Sequence, residues 1–438
     1  MKRLISCVLA LLYIMAGFAS GTWILHGKEY RVDTLYHAYI GPGTTQTSIK
    51  LAGPVNLRVF YTTTDLKNEN VDVRAIKHKD TLTGLGTVSN AAESHSTSNR
   101  SYFAGINADF FSSSMPCGIT VVDGEVYCSD QASGWSLFGI DANKIPYSGG
   151  GDFYVKLTAP DYSTAELSAM NLERETNGLV LYSSRKGANT GTDGNGSEVV
   201  LIPDGEGNFL TPGATVRMRV QGNPNHAGSM PIPDNGYILS GSGTKESFVS
   251  NLSEGDEVEV RCAIRFNGFT GGKIQQALGG CPMLVSGGKV LDTENALDHL
   301  TSAQPRTAVG YNTEKNKLVM LVADGRSSIS VGPISKVLAD IMIYAGCSEA
   351  MNFDGGGSST FYVKGEGVIN QPSDGSERSV TDGLYLSTDA PQNDVTITTI
   401  RFMDYAKTLN QGDAYTPVIY GYNQYGVLVD RNVEGVTL

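Results

Sequence analysis

The chain has 438 residues, a formal net charge of −12, 52 glycines and 18% charged residues, enough length for two or three domains and a sizeable core. The acidic balance excludes the basic face that nucleic-acid recognition requires, so no nucleic-acid partner is expected. Short apolar runs separated by turn residues exclude a helical bundle and a disordered chain.

The first segment reads as a targeting signal. Lys2 and Arg3 precede an apolar run over residues 4–18, and the small residues Ala19, Ser20 and Gly21 follow. That is the layout of a cleaved signal peptide over residues 1–20, the apolar run being short for a membrane span. No later stretch is apolar enough to cross a bilayer, so the expectation is a secreted or periplasmic protein with no membrane span after cleavage. Cell-surface association is compatible with it. Cleavage leaves Cys117, Cys128, Cys262, Cys281 and Cys347, an odd number, so one thiol stays over if the others pair. Cys117 and Cys128 flank a predicted hairpin, residues 119–122 and 125–127 around Asp123-Gly124. A disulfide between them needs a register adjustment.

Strands are predicted over residues 29–34, 46–51, 55–62 and 71–76, divided by Gly41-Pro42-Gly43, Gly53-Pro54 and Lys67-Asn68. A weak helix over 89–98 precedes a strand over 102–106 that ends in Asn107-Ala108-Asp109-Phe110-Phe111. Residues 141–267 read as an inserted β-rich subdomain, with a long polar stretch over 186–197. Residues 306–312 and 317–323 then form a hairpin around Thr313-Glu314-Lys315-Asn316, in a register that sets Arg306 opposite Ala323 and beside Asp324. Ile334, Val337, Leu338, Ile341 and Ala345 recur at helical spacing, with Pro333 at the start and Gly346 at the stop. This helix leads into a short buried strand over 350–354. From about residue 391 to 438, strands over 395–402, 415–420 and 427–429 resemble the first half of a bacterial immunoglobulin-like module, short of the roughly 100 residues of a whole sandwich. The expected fold class is α+β: a strand-rich mixed-sheet core with a few helices, the β-rich insertion and the partial Ig-like C-terminal unit.

Most common catalytic signatures are absent. There is no His-Glu-x-x-His, no Gly-x-Ser-x-Gly and no glycine loop closed by Lys-Ser/Thr, and the six histidines show no ligand spacing. What stands out is Asp354-Gly355-Gly356-Gly357-Ser358-Ser359-Thr360, following Asn352-Phe353. Consecutive glycines let backbone N–H groups approach a ligand, and concave runs of amides bind anions. Asp354 adds an ionisable group to the same turn. Asn107, Asp109, Arg306, Asp324, Arg326 and Arg378 fall at other predicted strand ends. Arginine forks next to an amide nest suit phosphate.

Asn107-x-Asp109-Phe110-Phe111, Pro305-Arg306-Thr307-Ala308-Val309-Gly310, Asp324-Gly325-Arg326, the Asp354 block and Arg378-Ser379-Val380 occur in the order that resembles the phosphodiester glycosidase family. The resemblance covers about residues 80–140 and 270–388, within a catalytic domain expected over 22–390. It departs from the family's Asn-Gly-small-Phe-Phe by placing Ala108 and Asp109 in the middle. It implies hydrolysis of a sugar-1-phosphate diester, a phosphorylated glycan, with no cofactor. The phosphate leaves as a good anionic group, so cationic and N–H stabilisation matters more than a general acid. Arg306, with Asp354 and Asp324 as candidate base or nucleophile, forms the implied catalytic set. Asn107, Asp109, Arg326, Gly355, Gly356, Gly357, Ser358, Ser359, Thr360 and Arg378 form the implied substrate-binding set. Two alternatives stay open. One is a non-catalytic glycan-binding or surface-assembly protein; the other is a metal-assisted phosphodiesterase with Asp109, Asp324 and Asp354 holding Mg²⁺ or Ca²⁺.

Overall fold

Alternating apolar residues and short turns produce strands, many closed into hairpins with the next strand and others paired across long stretches of chain. In the computed structural model the described residues are 21–436 apart from 131–134, 206–208, 267–268, 270, 294–300, 404–411, 413 and 415. The expected signal peptide, residues 1–20, lies outside them.

A nine-stranded sheet runs in the order Gly21–Leu25, Lys28–Gly41, Thr44–Ala52, Asn56–Asp65, Lys317–Ala323, Arg306–Tyr311, Glu349–Asn352, Met283–Ser286, Lys289–Val290. A five-stranded sheet runs Gly367–Val368, Phe361–Val363, Ser101–Asn107, Asp382–Thr388, Asp72–Lys77. Phe60, Ala104, Ile106, Val309, Met320, Val322, Phe353 and Leu384 form one buried cluster joining the two. On the other face of the large sheet, Val337, Leu338, Ile341 and Met342 of helix Ser335–Tyr344 cover Ala308, Val319, Leu321 and Ala323. Gly346, at φ 98°, turns the chain out of that helix in a conformation that favours glycine. The expected hairpin register holds, with Arg306 opposite Ala323 and Tyr311 opposite Leu318.

A second five-stranded sheet contains Thr120–Val122, Glu125–Cys128, Ser136–Asp141, Pro146–Gly149 and Ile274–Gly280. An eight-stranded sheet is built from strands lying between residues 151 and 266. The two share a core in which Val121, Val126, Leu137 and Ala277 pack with Leu181, Val199, Met218 and Val260.

One expectation is corrected and one open possibility is closed. The core sheets are antiparallel, not mixed; among the described pairs the parallel one is Ala169–Met170 with Leu179–Ser183, inside the insertion. Hairpins close the pairs between sequence neighbours, and the long-range pairs, such as Asp382–Thr388 with Ser101–Asn107, are antiparallel as well. Cys117 and Cys128 are free thiols. Cys128 pairs in register with Thr120, three residues past Cys117, so the hairpin carries the two apart. Strands Thr399–Phe402, Ile419–Tyr422 and Leu428–Asp430 make a small antiparallel sheet of their own among the described residues. It rests on the core through Tyr420, Tyr422 and Ala38 and an Arg431–Glu366 ion pair of 2.6 Å, while Ile400 and Phe402 stay exposed.

Candidate active site

The same end of the two packed sheets collects the motifs. Arg306 begins one strand and Asn352 ends its neighbour; Asn107, Phe361, Asp382 and Lys77 stand at strand ends of the facing sheet. The connection between the sheets is direct, because the Asp354 N–H donates to Ala108 O at 2.8 Å.

Asn107 braces this junction. Its Nδ2 donates to Asp354 O at 2.7 Å, and its Oδ1 accepts from Thr307 Oγ1 at 2.8 Å and from the Thr360 N–H at 3.1 Å. Ser359 joins the brace through Thr307 Oγ1 at 3.2 Å. These groups set the backbone of the glycine turn.

The turn itself is a short 3-10 segment, Gly356–Ser358. The N–H groups of Gly356, Ser358 and Ser359 donate to Pro305 O, Gly355 O and Gly356 O, which removes them from the expected amide nest. Each of the three glycines instead lies near a different arginine. A Cβ on Gly355 would stand 2.7 Å from Pro305 O and 3.8 Å from Arg306 Cδ. On Gly356, at φ +62°, it would stand 3.0 Å from Arg326 Nη2. On Gly357 it would overlap Arg378 Nη2 and the Asp374 carboxylate. The absence of side chains lets the three cations approach the turn.

Arg306 is 2% exposed, donates through Nη2 to Ser302 O, and has no carboxylate partner among the described residues. Burial, then repulsion from Arg326, lowers its pKa to about 10. Arg326 is exposed and held by Gln304 Oε1 at 2.7 Å. Arg378 pairs with Asp374 at 2.6 Å and reaches Ser358 Oγ at 3.4 Å. Ser358 also hydrogen-bonds Asp354. Burial pushes the Asp354 carboxyl up to about 6, against the pull of Ser358, Arg378 and the Gly355 N–H.

Two further expected carboxylates are buried around the turn: the Asp354 charge acts on Asp109, and Asn370 Nδ2 bridges Asp324 Oδ1 and Ser359 O. Arg306 and Ala323 are cross-strand partners and share a face, so Asp324 falls on the opposite one. Its Oδ1 accepts from the Gln371 N–H at 2.8 Å and Asn370 Nδ2 at 3.4 Å, and its nearest cationic influence is Arg58. Asp109 is 1% exposed, and its Oδ2 accepts from the Gly118 N–H at 2.8 Å. Among the described residues, Asp109, Asp324 and Asp354 do not gather into a three-carboxylate group able to hold a metal ion.

Asp382 and Lys77 escaped the sequence reading. They are register partners in adjacent strands, both buried. Asp382 Oδ1 accepts from the Asp109 N–H at 2.9 Å, and Lys77 Nζ donates to Thr381 O at 3.1 Å. Burial, then the Asp382 charge, drives Asp109 well above the usual carboxylate range. The available signal was Asp382 lying four residues after Arg378, where an apolar strand begins.

Buried polar atoms without hydrogen-bond partners recur here: Asp109 Oδ1, Arg306 Nε, Asp324 Oδ2, Asn352 Oδ1 and Thr360 Oγ1. Such orphans are few in native proteins and mark a function, a water or a ligand.

Residues 212–387 match the family model described as phosphodiester glycosidase. The match takes in Arg306, Asp324, Arg326, the Asp354 turn and Arg378, and extends back into the insertion; Asn107 and Asp109 lie outside it. The SPbeta prophage-derived protein YomE of Bacillus subtilis (strain 168) is 40% identical over 88 residues, 20% of this chain and 13% of that protein. The matched stretch is thus a small part of that relative's length. Two crystal structures share the fold. A hypothetical protein from Synechocystis superimposes with TM-score 0.61 at 16% identity, covering 79% of this chain and 62% of the other. A Burkholderia pseudomallei K96243 protein, named for its expected export, gives TM-score 0.61 at 18% identity over 84% of this chain and 99% of its own.

Proposed function

We propose that the chain is an exported hydrolase of the phosphodiester glycosidase type, splitting a sugar-1-phosphate diester at the sugar–oxygen bond. The observation that carries this reading is Arg306: a buried guanidinium without a carboxylate among the described residues, beside a glycine turn flanked by Arg326 and Arg378. A buried charge is costly unless paired, so the site is built for an anionic ligand. The family match over residues 212–387 supports a phosphodiester as that anion.

In this reading the three arginines stabilise negative charge as it develops on the departing phosphate. Asp354, a carboxylate above about pH 6, activates water at the sugar carbon or stabilises positive character on the ring. Ser358 links Asp354 to Arg378, coupling the two halves of the site. Asn107, Ser359 and Thr360 shape the turn from beneath, while Asp109 and Asp324 support it from buried positions.

Hydrolysis of an N-acetylglucosamine-1-phosphodiester in ¹⁸O-labelled water tests the reading. Label in the sugar is expected; label in the phosphate shows P–O cleavage and overturns it. Arg306→Gln should lower kcat/KM about 10²-fold, as for loss of one transition-state donor. Binding of the diester without turnover by the wild-type chain would leave the glycan-binding alternative in its place.

A further inference from the structure

The C-terminal sheet meets the core at a cavity of about 320 Å³ that the reaction above does not use. That size lies at the lower end of small-molecule sites. The cavity is lined from both sides of the seam, by Tyr39, Asn68 and Asn70 of the core and by Arg401, Tyr422 and Tyr425 of the C-terminal unit. Among the described residues that line it, Arg401 is the charged one, in a chain with 45 acidic residues.

The guanidinium of Arg401 stands 4.0 Å from the Tyr39 ring centre and 6.0 Å from that of Tyr422. Stacking fixes its plane but uses none of its N–H donors. Among the described residues Arg401 has no hydrogen-bond acceptor and no ion-pair partner, and the same holds for the side chain of Asn70 and the hydroxyl of Tyr425. Asn423 differs: its amide is engaged with Asp394 O and with the N–H groups of Tyr425 and Val427, which makes it a turn-builder. An oriented fork with free donors, and with no ion-pair partner among the described residues, suits a phosphate. Neutral amides and a phenol suit hydroxyl groups, and tyrosine rings offer apolar faces to a sugar ring.

We propose that this seam is a second binding site, for a sugar ring carrying a phosphate group. Taken with the proposed function, on which its biological source rests, it holds one repeat of a phosphate-linked glycan while the Asp354 end acts on another. The C-terminal unit then completes a binding site and is not only an extension.

The test is a ³¹P NMR titration of the full chain with N-acetylglucosamine 1-phosphate, in an Arg326→Gln/Arg378→Gln background that disables the Asp354 end. Saturable binding is expected to persist there. Adding Arg401→Gln should weaken it about tenfold or more, the usual cost of a lost charge-assisted hydrogen bond. Asn70→Ala, which leaves the stack intact, should weaken it severalfold. Inorganic phosphate should bind more weakly than the sugar phosphate. Unchanged binding in both Arg401→Gln and Asn70→Ala, or equal affinity for inorganic phosphate, overturns the proposal. Hydrolysis by the otherwise wild-type chain is read separately. If catalysis is absent while Arg401-dependent binding persists, the enzymatic reading falls and this site stands; the converse result removes the site and leaves the enzyme.

Discussion

Asp354 is raised by its surroundings rather than held down by its arginine. Burial dominates and lifts it to about 6, although Ser358 and Arg378 oppose the shift. Its ionisation therefore costs the folded state free energy: the contribution of this group to stability is complete below the unfolded pKa and is lost as pH rises through about 6. Asp354→Asn fixes the uncharged form, so relative to wild type it should gain up to about 1–3 kcal/mol between pH 4 and pH 8. Denaturant melts at the two pH values read this, and a gap that narrows with rising pH would show that the carboxylate is not buried as described. Activity should move the other way, with diester hydrolysis falling about 10²-fold or more in the variant and the wild-type rate rising through pH 6 as the carboxylate forms. Asp109 presents the same sign with a different outcome. Burial and Asp382 raise it well above the usual range, so Asp109→Asn should also gain stability as pH increases. Its low exposure predicts a smaller loss of activity than at Asp354, which pH-dependent melting and steady-state kinetics on one protein preparation would show together.

The glycine turn is where local sequence and tertiary packing separate. The string Asp354-Gly355-Gly356-Gly357 identifies a place where something approaches closely, but it does not reveal what. The approaching groups are side chains from three other connections, with Pro305 O holding the turn from below. Three alanine substitutions should therefore differ. Gly355→Ala meets backbone at 2.7 Å, and overpacking should cost about 1–3 kcal/mol. Gly356→Ala places a side chain at φ +62°, a left-handed conformation worth about 1–2 kcal/mol. Gly357→Ala meets only the ends of Arg378 and Asp374, which are 41% and 37% exposed and can swing aside. It should leave stability within about 0.5 kcal/mol yet raise KM for the diester by moving Arg378. Thermal melts and kinetics on the three variants check the ranking; a stability loss at Gly357 as large as at Gly355 would show that the Arg378 cluster is rigid. The hairpin register was legible for a simple reason. The Asn312 N–H donates to Lys317 O and the Asn312 side chain accepts from the Asn316 and Lys317 N–H groups, so the turn sets every pair back to Arg306. Asp382 and Lys77 were not legible, because a polar residue at a strand end looks the same in sequence whether it faces solvent or a buried neighbour on another strand.

At the scale of the molecule, the two β-rich additions are attached in unlike ways. The sequence separates both by texture, yet texture does not reveal which one shares a core. Strands of the insertion contribute Leu181, Val199, Met218 and Val260 to the cluster that also holds Val121, Val126, Leu137 and Ala277 of the adjoining sheet. Removing residues 151–266 would expose that whole face, and burial of one large aliphatic side chain is worth about 1.5–3 kcal/mol. Several such losses exceed the total stability of an ordinary domain, about 5–15 kcal/mol. The C-terminal sheet joins through a much smaller buried group, Tyr420 and Tyr422 on Ala38, with the Arg431–Glu366 pair at its margin. Ending the chain after Ala390 should then leave a folded molecule with a modestly lower Tm and nearly unchanged turnover of a small diester. Replacing residues 151–266 by a short linker should leave an aggregated or unfolded chain without turnover. Size-exclusion chromatography, thermal melting and the same kinetic assay on both deletions compare them directly. A soluble, active protein lacking 151–266 would mean that the shared core is dispensable and that the Asp354 end is held by its own two sheets alone.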